Sequence, residues 1–142
     1  MSLNAYLNFD GNTREAVAFY REVFDSPAPD IMTFGEQPPN PEFEIPEEMK
    51  DRIMHAALKV NGSMLMFSDT FPGTSYIQGN HISLTVWLKD EALLRKQFDR
   101  IKQGGKVDME LQETFWSKAY GQVTDQFGII WQFSHEGESE DV

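Results

Sequence analysis

The chain contains no cysteine. Disulfide cross-links, thiolate nucleophiles and cysteine-bound zinc are therefore excluded. No apolar run approaches the roughly 18 residues that a membrane-crossing helix needs. The first residues, Met1-Ser2-Leu3-Asn4, lack a basic stretch followed by an apolar one, so no secretory signal is expected and a cytoplasmic location is the default. Basic residues are scarce. There are 12 Lys and Arg against 23 Asp and Glu, a formal charge of -11. A surface of that sign repels phosphate, so neither nucleic acid nor an anionic membrane is an expected partner, whereas a cationic ligand would be attracted.

What is present suits one domain. The length of 142 residues and the apolar share of 40% suffice to bury a core. The acid is unevenly spread. Residues 136–142 form an acidic tail without apolar anchors, expected to be disordered. The stretch from Glu36 to Arg52 holds four of the seven prolines and reads as a long loop, with Phe43 and Ile45 as apolar anchors if it acts as a lid.

Hydrophobic periodicity divides the rest. Leu3 to Phe9 alternates, with Leu3, Ala5, Leu7 and Phe9 opposite Asn4, Tyr6 and Asn8, as in a half-buried strand. Asn12, with Glu15 three residues on, predicts a capping box for a helix carrying Ala16, Phe19, Tyr20 and Val23 on one face. Ser26-Pro27 ends it, and Ala28 to Gly35 reads as a short strand. Ile53 to Val60 and Ser63 to Asp69 are strands around an Asn61-Gly62 hairpin turn. After a linker, Phe71 to Gly79, the order recurs. His81 to Leu88 is a strand; Asp90 caps a helix carrying Leu94, Phe98 and Ile101; Gly104-Gly105 closes it. Strands follow at Lys106 to Phe115, Lys118 to Thr124 and Ile129 to His135. The closing strands match in phase, Gly62-Ser-Met-Leu-Met-Phe-Ser-Asp69 over Gly128-Ile-Ile-Trp-Gln-Phe-Ser-His135. Two diverged copies of one βαβββ unit explain this: module one over residues 1–70, module two over 80–135, and a single α+β domain over 1–135.

Phase also selects residues that could meet a ligand. His55 shares a face with Ala57 and Lys59, opposite Met54, Ala56, Leu58 and Val60; His81 shares one with Ser83 and Thr85. An imidazole titrates near neutral pH, so both are candidate acid–base groups. Met64, Met66 and Ser68 share a third strand face, where thioethers suit either core filling or an adaptable apolar site. Tyr6, Trp87, Phe115, Trp116 and Tyr120 are aromatics for a core, a binding site or an interface. Asp69 and Glu110 read as solvated strand-end carboxylates, with cation binding or base catalysis as the alternative.

The ordered set "FY…VF", "HAALKVNG…LMFSD", "HISLTV", the Gly-Gly helix end and "YGQVTDQFGIIWQF" resembles the PhnB-like, or demethylubiquinone methyltransferase-like, branch of the vicinal-oxygen-chelate superfamily, which includes glyoxalases, bleomycin-resistance proteins and dioxygenases. No glycine-rich loop follows a strand in the way a nucleotide-type cofactor site requires. The resemblance implies curled mixed sheets with a concave cleft, helices outside, and homodimerisation. It also implies one divalent metal ion, held from the first and fourth strands of each module. The matching positions here are Asn4, Met66, His81 and Gln132. Two amides, one imidazole and one thioether carry no negative charge, so the metal set is degraded, with His81, Gln132 and Asn4 as the remaining donors. The expected function is small-molecule binding in the cleft by Tyr6, Asn8, His55, Met66, Ser68, His81, Ser83, Trp116 and Gln132. The alternative is a metal-dependent lyase, isomerase or dioxygenase acting on vicinal oxygens, with His81 and His55 as catalytic groups.

Overall fold

The computed structural model describes residues 3–42, 44–71 and 73–137. It divides into two compact units, residues 1–77 and 78–142. Phe43 and the tail beyond Gly137 lie outside the described residues.

In the first unit, β1 (Ala5–Phe9), α1 (Thr13–Phe24), β2 (Asp30–Thr33), β3 (Ile53–Val60) and β4 (Ser63–Asp69) follow in order. The sheet order is β1-β4-β3-β2, with β1 parallel to β4 and the other pairs antiparallel. The second unit repeats this with β5 (Leu84–Leu88), α2 (Glu91–Ile101), β6 (Lys106–Gln112), β7 (Tyr120–Thr124) and β8 (Ile130–His135), in the order β5-β8-β7-β6. Each unit is thus a βαβββ module with an open four-stranded mixed sheet, and the expected fold class stands.

One face of each sheet is covered by its helix. Ala16, Val17, Tyr20 and Val23 recur at helical spacing on α1 and are buried with Ala56, Leu58 and Phe67. Tyr20 stacks on Phe67 at 5.8 Å between ring centres. In the second unit the residues at matching places, Phe98 and Phe133, meet edge to face at 5.5 Å. Burying each such ring contributes about 1.5–3 kcal/mol. The other face of each sheet is left open by this arrangement.

Several local expectations change. Asn12 precedes α1 but makes no side-chain cap. The donors at that helix start are taken instead by Asp69, from the end of β4. Its Oδ1 accepts from Gly11 N (2.9 Å), Thr13 N (3.1 Å) and Thr13 Oγ1 (2.7 Å), and its Oδ2 accepts from Ile53 N (2.8 Å). Asp69 is therefore a buried, fully engaged acceptor and not a solvated strand-end carboxylate. Asp90 does cap α2, accepting from Leu93 N at 3.0 Å. Ile53 is buried while Met54 is only half-buried, because a bulge pairs Thr33 with Ile53 directly after Met32 with His55. The strand expected at His81 begins at Leu84, so His81 and Ser83 precede it. The strand expected to reach Phe115 stops at Gln112, where Thr114 and Ser117 bond into a turn. Asn61 and Gly62 take φ values of 49° and 87°, as the hairpin turn requires.

Removing the Asp69 carboxylate strands four donors, three of them in buried bonds. Asp69→Ala is expected to destabilise the protein by about 2–4 kcal/mol. Asp69→Asn, which sets an amide N–H against backbone N–H groups, is expected to cost at least about 2 kcal/mol. Urea unfolding followed by circular dichroism measures both.

Candidate functional site

The pleat assigns side chains to the open faces. In the first unit the register sets Tyr6 beside Met66 and Met66 beside Ala57, and Asn8 beside Ser68. Met32 stands directly opposite His55 on the neighbouring strand. Tyr6, Asn8, His55, Met66 and Ser68 therefore share one surface, joined by Met32, which sequence reasoning passed over because β2 is short and shows no clear alternation. Tyr6 reaches across β4, and its hydroxyl lies 3.1 Å from Nδ1 of His55. Ser68 Oγ donates to Asn8 Oδ1 at 3.0 Å. Tyr6 is 42% exposed and Met32 46%, so this face is apolar and wet. Asn4 lies just before β1 and is exposed.

The second unit builds a different face. Tyr120 Oη donates to Gln132 Oε1 at 2.6 Å, and Gln132 Nε2 donates to Ser83 Oγ at 2.8 Å. Both ends of the Gln132 amide are thus committed. Trp116, in the turn after β6, packs edge-on against Tyr120 at 5.3 Å and against Phe115 at 4.8 Å. Trp87 is 63% exposed and Trp116 56%. His81 is exposed, ahead of β5. Behind this face Asp125 organises the β7–β8 turn. Its Oδ1 accepts from Phe127 N and Ile129 N, and its Oδ2 from Trp131 Nε1 at 2.8 Å. That tie fixes the start of β8, and through it the direction in which Gln132 points.

These residues do not fit a hard or borderline divalent ion. Among the described residues no group of three His, Cys, Asp or Glu comes together. Of the positions the resemblance supplies, Met66 is a thioether, Gln132 is spent on Tyr120 and Ser83, and His81 stands outside the strand. Among the described residues no cluster of His, Asp and Glu gathers beside them to balance a double charge.

The Pro-rich loop is tied at its neck by Phe34 N to Arg52 O and Gly35 N to Lys50 O, and a one-turn helix, Glu47–Met49, lies within it. A cavity of about 630 Å³ opens along it, lined by Phe34, Pro38, Pro39, Pro41, Ile45 and Lys50 among others. At the start of the loop Glu36 accepts from Thr33 N (2.6 Å) and Thr33 Oγ1 (3.0 Å), and these bonds hold its carboxyl below the usual range. The hydrogen bond from Lys50 to Glu47, then the Glu47 charge, raises the Lys50 ammonium above its usual value. Burial, then the charge of Asp10, pushes the Tyr76 phenol up.

A paired βαβββ repeat with one open sheet face per module defines the class. The family model for the glyoxalase/bleomycin resistance protein/dioxygenase superfamily matches residues 2–133, and the chain belongs to that superfamily. It is 33% identical over 141 residues to protein YjdN of Escherichia coli (strain K12), covering 94% of this chain and 95% of that one. Protein PA1353 from Pseudomonas aeruginosa, a solved structure, superposes with a TM-score of 0.83 at 33% identity, over 97% of this chain and 99% of that one. The PhnB protein from Bacillus cereus superposes with a TM-score of 0.73 at 24% identity, over 96% and 100% of the chains, which speaks to fold alone.

Two outcomes test this description. Tyr120→Phe leaves Gln132 Oε1 without its donor and is expected to cost about 0.5–1.5 kcal/mol, with a shift of the Gln132 side-chain amide in NMR spectra. Because the Glu36 carboxyl is lowered by folding, its contribution is present above its unfolded value and lost as pH falls through the folded one, below about pH 4.3. Limited proteolysis of the 36–52 loop is expected to accelerate in that window, and the acceleration is expected to vanish in Glu36→Gln.

Proposed function

We propose that this protein binds a small, partly aromatic organic molecule on the open faces of its sheets, without chelation through a hard divalent ion. The observation that carries this reading is the state of those faces. Large side chains that would normally be covered stay exposed, Trp87 and Trp116 in module two, Tyr6 and Met32 in module one. The polar groups among them are already oriented by mutual hydrogen bonds, Tyr6 with His55 and Tyr120 with Gln132 and Ser83. Surfaces of this kind use apolar area for affinity and a few fixed polar groups for orientation. The contact residues in this reading are Tyr6, Asn8, His55, Met66 and Ser68 from the first module, and His81, Ser83, Trp116 and Gln132 from the second. The net charge of -11 favours a cationic ligand. Homodimerisation and a cytoplasmic setting belong to the same reading.

Tryptophan fluorescence gives the test. Trp131 is buried and held by Asp125, whereas Trp87 and Trp116 are exposed. Titration with cationic glycopeptides and aromatic amines is expected to quench saturably, with the signal lost in Trp116→Ala and kept in Trp131→Phe. No saturable change across such a panel would sink the proposal. Stoichiometric retention of Ni, Zn, Mn or Fe(II) that disappears in His81→Ala would favour a metal-dependent lyase, isomerase or dioxygenase instead.

A further inference from the structure

The donors that fail a hard ion have a chemistry of their own. On the open face of module one, Met32 on β2 stands directly opposite His55 on β3. Directly paired side chains start about 4.5–5.5 Å apart at Cβ. Met66, on β4, is paired with Ala57 and so lies diagonally from His55, a separation that long side chains span. Tyr6 demonstrates that span, since it crosses from the Met66 row to His55 and reaches Nδ1. Two thioethers and one imidazole therefore surround a single patch of open sheet. Met66 is half-buried and Met32 is 46% exposed, so both sulfurs have room to turn.

We propose that Met32, His55 and Met66 form a binding site for a soft monovalent cation, copper(I) or silver(I). Thioether sulfur selects soft d10 ions and binds hard ones poorly, and imidazole serves copper well. A singly charged ion needs no carboxylate beside it. The Tyr6–His55 hydrogen bond is a second, independent feature of the site. With a cation on Nε2, the proton sits on Nδ1 and donates to Tyr6 Oη, the outer contact that fixes tautomer and ring direction in metal-bound histidines. Among the described residues Nε2 of His55 has no hydrogen-bond partner. Asp30, opposite Ala57 on the same face, adds negative potential, as does the net charge of -11. Lys59 lies farther along β3, opposite Met64. The site lies wholly within module one and shares Tyr6, His55 and Met66 with the surface proposed for the organic ligand; titration with the ion alone, without that ligand, reads this site by itself.

The absence of cysteine makes the experiment clean, because no thiolate competes. Anaerobic titration of the full chain with copper(I), against a chromophoric copper(I) chelator, is expected to give one ion per chain. Silver(I) titration of protein labelled at the methionine methyls is expected to shift Met32 and Met66 and to leave Met109 in place. His55→Ala is expected to weaken binding at least tenfold, and Tyr6→Phe about tenfold, the usual effect of losing an outer-shell partner. Met66→Leu and Met32→Leu conserve volume and keep the fold, so their expected loss of affinity reads on ligation alone. His81→Ala is expected to change nothing. Unchanged affinity in both His55→Ala and Met66→Leu, or preferential zinc or manganese binding on this face, would overturn the assignment.

Discussion

The Asp69 carboxylate joins three parts of module one that are far apart in the chain. It sits at the end of β4, accepts the donors at the start of α1, and accepts the N–H of Ile53 where β3 begins. A buried carboxyl is tolerated when its lone pairs are filled, and here four donors fill them. That one group ties the start of α1 to the end of β4 and the start of β3, while the apolar stripe of α1 selects the face of the sheet that it covers. The face that remains open is the face on which Tyr6, His55 and Met66 stand.

Module two solves the same problem with other residues. The place of Asp69 in the closing strand is taken by His135, which pairs in register with Leu88 as Asp69 does with Phe9. Its Nε2 lies 2.9 Å from the carbonyl of Lys89, an acceptor, so Nε2 carries the hydrogen. Helix capping passes to Asp90, and the anchoring carboxylate moves to Asp125 at the β7–β8 turn. The repeat preserved the packing of ring on ring, Tyr20 on Phe67 and Phe98 on Phe133, while its polar ties diverged. Apolar packing tolerates volume-conserving change, whereas each hydrogen-bond network must be complete in itself.

The two open faces diverged further. One carries thioethers and an imidazole; the other carries indoles and a closed chain of hydroxyl and amide groups. Among the described residues neither gathers a cluster of three His, Asp or Glu of the kind that holds a doubly charged ion in place. Membership of the superfamily fixes the frame, and the chemistry of this chain rests on what each face presents.

Strand and helix order, the repeat, and the facing of Tyr6, Asn8, His55 and Met66 were legible in the sequence, because periods of 2 and 3.6 residues report directly which side is buried. The Asn61-Gly62 turn was legible for a local reason, the positive φ values it demands. Tertiary structure alone decided the rest. Nothing near Asn12 says that its capping duty falls to Asp69, a contact across 56 residues from Thr13. The bulge after the Met32–His55 pair shifts the phase at the start of β3, and the pairing of β2 with β3 that sets Met32 across from His55 is announced by no pattern in β2. The commitment of Gln132 to Tyr120 and Ser83 likewise depends on β5, β7 and β8 arriving side by side. Local periodicity is set by neighbours in the chain. Which donor meets which acceptor is set by neighbours in space.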